Sequence, residues 1–550
     1  MKTQQVTNPN MSKTGILRGV ALLFLAQCVL CETEKQYVRP TNADCVAREL
    51  GTQLGPDGTL YPSAFVMDGA SSKDGYTTTV DSAIGFRVSY YDTYKVVENS
   101  VSNKTYVLYV CGTDKPAVGA AGVSEDAIFF QIPLTSVSVP ETVPFAYLQA
   151  LEVVDRVHDV STFVTSACGQ KLANECGDAS PSYVDFTNMS INQTALNDAS
   201  ASVDAVLLGS GQDADLVLAF DAEDAPGVLQ RAEWIKYLGL FFNKEKQASD
   251  IYNAIADSYE KTSTLAKKNG ESKPTIAWIS HFSYDGAEHY DVSLADYKKQ
   301  LVEDANGQNV ANGAAEKLVE AYPGARISAF SPTTVEFAWD GKDSFASQEE
   351  AQKAFLDFLS TVDGIVDETY SVDPSTYDFN KEFGLDSVSK DVLNSLPWYE
   401  PSLVYRIDGT LSASNGFDWY ESSFVRPDLA LKDIDRVIDS SRKGETINKG
   451  EFTWMRNINE SPIVLSPAEC TQLTGCSSDQ IPVCPFVAAC SDGGTRLLSE
   501  KQFDSNTGAC TYDACIATVG AITDTAQMAA PAVILLTLLI VFVEALINFC

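Results

Sequence analysis

PGVLQRAEWIKYLGLFFNKEKQASDIYNAIADSYEKTSTLAKKNG, residues Pro226 to Gly270, is the stretch whose reading decides the fold. Apolar residues recur at Ile235, Leu238, Phe242, Ala248, Ile251, Ile255 and Tyr259, the three-then-four spacing of one buried helical face. Pro226 suits a first helical turn, and Asn243 is placed to open a second helix within the run by capping free backbone N–H groups. The run is about 44 residues, or roughly 66 Å at 1.5 Å rise per residue, more than one ordinary lobe is wide. Two arrangements fit this periodicity: a strut joining two lobes, or one long core helix of a single domain.

The segments on either side favour the strut. Before it, strand-like runs at Gly85–Tyr91, Thr105–Val110, Ala127–Ile132, Ser161–Thr165, Val203–Leu208 and Leu216–Phe220 surround a helical segment at Phe145–Val154. After it, strands at Thr275–Ser280, Thr334–Trp339, Gly364–Val366 and Leu403–Ile407 alternate with helices at Asp296–Asp304, Ala311–Ala321, Gln348–Ser360 and Pro427–Ser440. Alternating strands and helices predict sheets with parallel pairs and helices on their faces. The expected fold class is therefore α/β: two Rossmann-like lobes, 85–225 and 271–465, joined by a long helix over 226–270, with a loosely structured lead-in over 32–84.

The chain has 550 residues, 45% hydrophobic and 21% charged, a globular balance sufficient for two or three domains. Its net charge of −35 is spread along the chain and repels phosphate backbones, which argues against nucleic-acid binding. Lys13 and Arg18 precede an apolar run of about 12 residues, the length of a secretory signal, so residues 1–31 are expected to be a leader. Residues 528–550 form a hydrophobic tail, read either as a membrane span or as a signal exchanged for a lipid anchor. Both readings place the body of the protein outside the cell or in a lumen, at the cell surface.

Of 13 cysteines, ten lie outside the leader and tail. Cys470, Cys476, Cys484, Cys490, Cys510 and Cys515 crowd together without a C-x-x-C pair or a nearby histidine, so residues 466–520 read as a disulfide-stapled module, not a zinc site. Cys168 with Cys176, and Cys45 with Cys111, are the remaining candidate pairs. Sequons at Asn103, Asn188, Asn192 and Asn459 fit a secreted glycoprotein.

Four blocks carry a family resemblance: residues 94–116 (YKVVENSVSNKTYVLYVCGTDKP), 132–157, 231–255 and 417–440 (FDWYESSFVRPDLALKDIDRVIDS). In order and spacing they resemble eukaryotic members of the periplasmic-binding-protein-like family, which binds cobalamin, ferric siderophores or metal ions. Within it they are most similar to the algal cobalamin-acquisition branch. The resemblance covers roughly residues 85–470 and leaves out the leader, the cysteine-rich module and the tail. It implies capture of a transported chelate, cobalamin first and a ferric siderophore as the alternative, with hand-over to an unidentified receptor or transporter. It implies no catalysis and no retained cofactor.

In α/β lobes, ligands lie at the carboxyl ends of parallel strands. That rule selects Tyr90, Tyr91, Ser166, His281, Phe282, Tyr284, Arg406, Asp408, Trp419 and Tyr420 as candidate ligand contacts, aromatic faces with a polar rim suited to a flat corrin ring. His281 or His289, with Tyr290 and Asp291, offers donors for cobalt or iron, although HYD is only a tripeptide. Trp234 and Trp278 read as packing. The sequence lacks a G-x-S-x-G elbow, a P-loop and H-E-x-x-H, which argues against an enzyme. A structural or adhesive surface glycoprotein is the remaining alternative of another class.

Overall fold

The computed structural model describes residues 77–473 apart from short interruptions, and two strands beyond them. Most of the chain, including Leu50–Asp479, forms one compact unit. A second unit, containing Gln480–Cys550, shows an antiparallel pair of strands at Lys501–Asp504 and Ala509–Tyr512. The leader and the hydrophobic tail lie outside the described residues, and no described helix is long and apolar enough to cross a membrane.

The first unit opens with β1 (Phe86–Tyr90), β2 (Tyr94–Asn99) and β3 (Lys104–Val110), an antiparallel ladder to which β4 (Ile128–Ile132) adds in parallel. Next come β5 (Val137–Val139), α1 (Thr142–Ala150), β6 (Val157–Val160), α2 (Ala167–Gln170), the short pair β7 (Val184–Asp185) and β8 (Ser190–Ile191), β9 (Ala205–Leu208) and β10 (Val217–Ala219). Strands β10, β9, β5 and β6 form an all-parallel sheet in that order. The strand expected at 161–165 is instead β6, four residues earlier. Asp159 had hidden it within VHDV; its carboxylate accepts a 2.6 Å bond from the Ser138 hydroxyl, which makes an acid tolerable in a buried strand.

The long run is two helices, α3 (Val228–Phe241) and α4 (Glu245–Asn269). Asn243 terminates α3 instead of capping α4: its φ is 54°, and the Lys244 N–H reaches back 2.8 Å to the Gly239 carbonyl, the bond that closes a helix through a left-handed residue. A Cβ at Gly239 would sit 2.8 Å from the Ala248 Cβ, so glycine is what lets the two helices approach here. Helix α3 is buried in the first core through Trp234, Ile235, Tyr237, Leu238, Leu240 and Phe241. Helix α4 is the connecting element: Ala248, Tyr252 and Ile255 belong to that core, and Tyr259 belongs to a core of the second lobe.

Lys95 of β2 fixes the break. Its fully buried ammonium donates to the Leu240 carbonyl (2.6 Å), the Asn243 amide oxygen (3.1 Å) and the Glu245 carboxylate (2.6 Å). It thereby satisfies a carbonyl left over at the end of α3 and pairs an acid in the first turn of α4.

The second lobe runs through β11 (Thr275–Tyr284), β12 (Ala287–Ser293), α5 (Asp296–Asp304), β13 (Gln308–Asn309), α6 (Ala315–Ala321), β14 (Arg326–Ile327), β15 (Thr334–Ala338) and α7 (Gln348–Leu359). It continues with β16 (Gly364–Asp367), α8 (Phe379–Glu382), α9 (Lys390–Leu393), β17 (Val404–Arg406), β18 (Thr410–Leu411), α10 (Trp419–Ser422), α11 (Pro427–Lys443), β19 (Arg456–Asn457) and β20 (Ile463–Val464). The sheet order is β14-β15-β12-β11-β16-β17-β19, with β13 beside β11 and with β11, β16 and β17 parallel. One face packs Ile279, Phe337 and Ile365 against Phe355 and Phe358 of α7. The other packs Ile276, Trp278 and Tyr405 against Leu301 of α5 and Ile434 and Ile438 of α11. The helix expected from Ala311 starts at Ala315, because Ala311 and Asn312 adopt φ of 49° and 52°.

Cys168 is bonded to Cys470, with Cα atoms 4.6 Å apart, which corrects the expected Cys168–Cys176 loop and removes Cys470 from the cysteine-rich module. Cys168 and Cys176 flank a helical run; eight residues of helix separate Cα atoms by roughly 12 Å, beyond disulfide reach. Cys176 is itself disulfide-bonded. Cys45, Cys111, Cys476, Cys484, Cys490 and Cys515 lie outside the described residues. Asn103, Asn192 and Asn459 are exposed, and Asn188 lies outside the described residues.

Replacing Lys95 by Met removes the ammonium that pairs with the buried Glu245 carboxylate. The expected loss is about 3–5 kcal/mol of unfolding free energy by urea titration, much of it recovered in Lys95→Met/Glu245→Leu. A single variant as stable as the wild type would mean that the clamp does not hold the helix break.

Candidate functional site

The carboxyl ends of both parallel strand sets meet between the lobes. In the first lobe, β5 leads to Glu141, β6 to Ser161–Ser166, β9 to Gly209 and β10 to Asp221 and Glu223. In the second, β16 leads to Glu368 and Tyr370. A buried latch ties the two sides together. The Thr165 and Ser166 amides donate to the Glu421 carboxylate at 2.6 and 3.3 Å, and the Thr165 hydroxyl donates to Asp418 at 2.7 Å. Gln170 extends the latch, accepting from the Ala413 N–H (2.9 Å) and donating to the Leu465 carbonyl (3.3 Å). Burial, then the neighbouring Asp418 charge, pushes Glu421 up to about 8.

Beside the latch is a groove. At its base the Arg231 guanidinium lies 4.1 Å from the Tyr297 ring centre and 4.7 Å from that of Phe424, and donates to the Ala225 and Glu223 carbonyls. A cavity of about 10 Å³ there, bordered also by Val228 and Trp419, has room for one water. Tyr420 is 42% exposed, yet burial and then the Glu368 charge push its hydroxyl well above its ordinary range. Glu223 is likewise exposed, with its carboxyl raised by desolvation. Tyr370, Phe417 and Tyr420 form a stacked series with ring centres 6.0 and 6.3 Å apart, and Phe163 and Tyr370 stand 61% and 72% exposed. Glu141 accepts from the Gly209 N–H at 2.9 Å; burial, then Glu223, raises it to about 7.

Of the residues selected from the sequence, Trp419 borders this cavity and Tyr420 beside it is exposed. Tyr90 is buried, its hydroxyl accepting from the Thr78 N–H, and Tyr91 stacks on Tyr94. Tyr90 ends β1 and Tyr91 follows it; β1 is antiparallel, so the strand-end rule did not apply to them. Ser166 is buried as the cap of α2, accepting from the Gly169 N–H. Arg406 and Asp408 are fully enclosed. Arg406 donates to Asp367 (2.6 Å), Asp408 (2.7 Å) and the Thr369 carbonyl (2.7 Å), its guanidinium lying 3.6 Å from the centre of the Tyr377 ring, and Arg456 completes Asp408 at 2.7 Å. This network joins the strand ends and leaves neither side chain open to a ligand. Trp419 is buried against Trp278 and Trp454, because adjacent helical positions point about 100° apart and only Tyr420 turns outward.

His281 is held between Glu382 and Glu288, each 2.8 Å from a ring nitrogen, while Phe282 stacks on His289 and Tyr284 is 68% exposed along the β11–β12 hairpin. Tyr290 points into the core and its strand neighbours His289 and Asp291 point away from it, so the HYD donors do not converge. Among the described residues no group of three or more His, Cys, Asp or Glu could hold a metal ion. The sequence reading missed Glu141, Glu223, Arg231, Tyr297 and Tyr370. Glu141 follows Pro140 and the strand VSV, whose three residues are too few to stand out by their pattern.

Raised carboxyl groups set the pH response of stability. Glu421 at about 8, Glu141 and Asp291 at about 7 and Asp433 at about 6 all bind protons more firmly folded than unfolded. Their contribution is complete below the ordinary carboxyl range of about 4 and is lost as pH rises through these folded values. The melting temperature is therefore expected to fall between pH 5 and pH 8.5 in scanning calorimetry, less steeply above pH 7 in Glu421→Gln. A melting temperature that climbs over that range would contradict this assignment.

No family model and no curated protein matches the chain. Among solved structures, it is similar to a possible iron-binding periplasmic solute-binding protein from Staphylococcus epidermidis (13% identity, 56% of this chain and 99% of that one, TM-score 0.33). It is also similar to a petrobactin-binding protein from Bacillus subtilis (13%, 57% and 93%, TM-score 0.35) and a periplasmic heme-binding protein from Roseiflexus sp. RS-1 (12%, 56% and 98%, TM-score 0.34).

Proposed function

We propose that this chain is a cell-surface solute-binding protein that holds a metal chelate in the groove between its lobes and passes it to an uptake system. The observation that carries this reading is the set of exposed rings at Phe163, Tyr370 and Tyr420 beside the latch that joins strand ends of both lobes. Exposed rings at Phe163, Tyr370 and Tyr420 supply the apolar faces that a wide ligand needs. The strut, the latch and the Cys168–Cys470 bond hold the lobes at a set separation, so little ordering cost opposes binding. Cobalamin and ferric siderophores are the two chelates the reading embraces, the bound chelate being cargo and not a retained cofactor. The hydrophobic tail would keep the receptor at the membrane, beside its transporter or uptake receptor.

The test is calorimetric titration of the full-length chain, purified in a non-ionic detergent, with cyanocobalamin and separately with a ferric hydroxamate. One of the two is expected to bind with a Kd below 1 µM, about −8 kcal/mol. Tyr420→Ala is expected to weaken that binding by about tenfold through loss of one ring face. Absence of heat with both ligands, at protein concentrations of tens of micromolar, counts against the proposal.

A further inference from the structure

The charge around the groove limits which chelates it can hold. Its carboxylates are in excess: Glu141, Glu223 and Asp224 follow strands of the first lobe, while Glu368 on the other side is paired with Lys298. Its described cations are already engaged. Arg231 is spent on two carbonyls and two rings, Lys298 lies 2.5 Å from Glu368, and Arg406 is enclosed by Asp367 and Asp408. An anionic ligand entering here would give up its hydration and meet no uncommitted guanidinium or ammonium among the described residues. The rings of Tyr370 and Tyr420 present π faces, which attract positive charge. Burial raises the Glu141 carboxyl most, and the Glu223 and Asp221 charges add to it.

Resting on the receptor reading above, we infer that the groove selects neutral or positively charged chelates and rejects anionic ones. A corrinoid with no net charge or a cationic ferric hydroxamate meets this requirement. A ferric tris-catecholate or a heme with ionised propionates does not.

The experiment titrates the full-length chain with three probes: neutral cyanocobalamin, a cationic ferric trihydroxamate and an anionic ferric tris-catecholate. At least one of the first two is expected to bind about tenfold or more tighter than the third, a difference of the size that one uncompensated charge makes near a protein surface. In Glu223→Gln, an exposed position that folding tolerates, and in Glu141→Gln, the ratio of cation to anion affinity is expected to drop by about threefold or more. Raising the salt concentration is expected to narrow the same ratio, because screening weakens both attraction and repulsion. Tightest binding of the anionic probe, or ratios unmoved by either variant and by salt, overturns the charge rule while leaving the receptor reading intact. No binding by any of the three overturns the receptor reading and the charge rule together.

Discussion

A single buried ammonium organises this molecule. Lys95 sits in an interior where an isolated charge would be expelled, and it is tolerable only because Leu240, Asn243 and Glu245 converge on it. Those three residues are the end of one helix, the left-handed turn after it and the start of the next. The position of the turn therefore depends on a side chain from a strand roughly 150 residues earlier. Because the turn is fixed, α3 can remain in the first core while α4 leaves it and reaches the second through Tyr259.

From that geometry the groove follows. Two sheets with parallel strands, carried at opposite ends of one strut, bring their carboxyl ends into opposition. The residues that close the seam are polar and buried: Glu421 and Asp418 from the second lobe against the Thr165–Ser166 backbone of the first. Such contacts are directional, so they fix an angle between lobes as apolar packing alone would not. The Cys168–Cys470 bond adds a covalent limit across 302 residues of sequence, a closure whose effect on the unfolded chain is on the order of 5 kcal/mol in the entropy model. The wall beside this seam is left with the exposed rings of Phe163, Tyr370 and Tyr420.

A second buried network shows how similar residues serve structure instead. Arg406, Asp367, Asp408 and Arg456 interlock at the strand ends of the second lobe, with every charge opposed by another and further bonds to backbone carbonyls. By residue type and position these are attractive ligand contacts. Their complete enclosure makes them a support for the loops that do face the groove.

The sequence by itself determined the element types. Continuous apolar runs such as TIAWIS become interior strands because only a strand buried on both faces hides every residue. The three-four spacing through Ile251, Ile255 and Tyr259 becomes a one-sided helix for the matching reason. Placement of α5, α7 and α11 within a few residues was legible on those grounds. Tertiary structure alone decided the break at Asn243, the partner of Cys168 and which strand-end side chains meet solvent. Each of those depends on a group distant in sequence: Lys95 for the break, Cys470 for the disulfide, and Asp367 and Arg456 for the enclosure of Arg406 and Asp408. Local pattern reports how much of an element must be hidden, and it carries no information about which remote partner does the hiding.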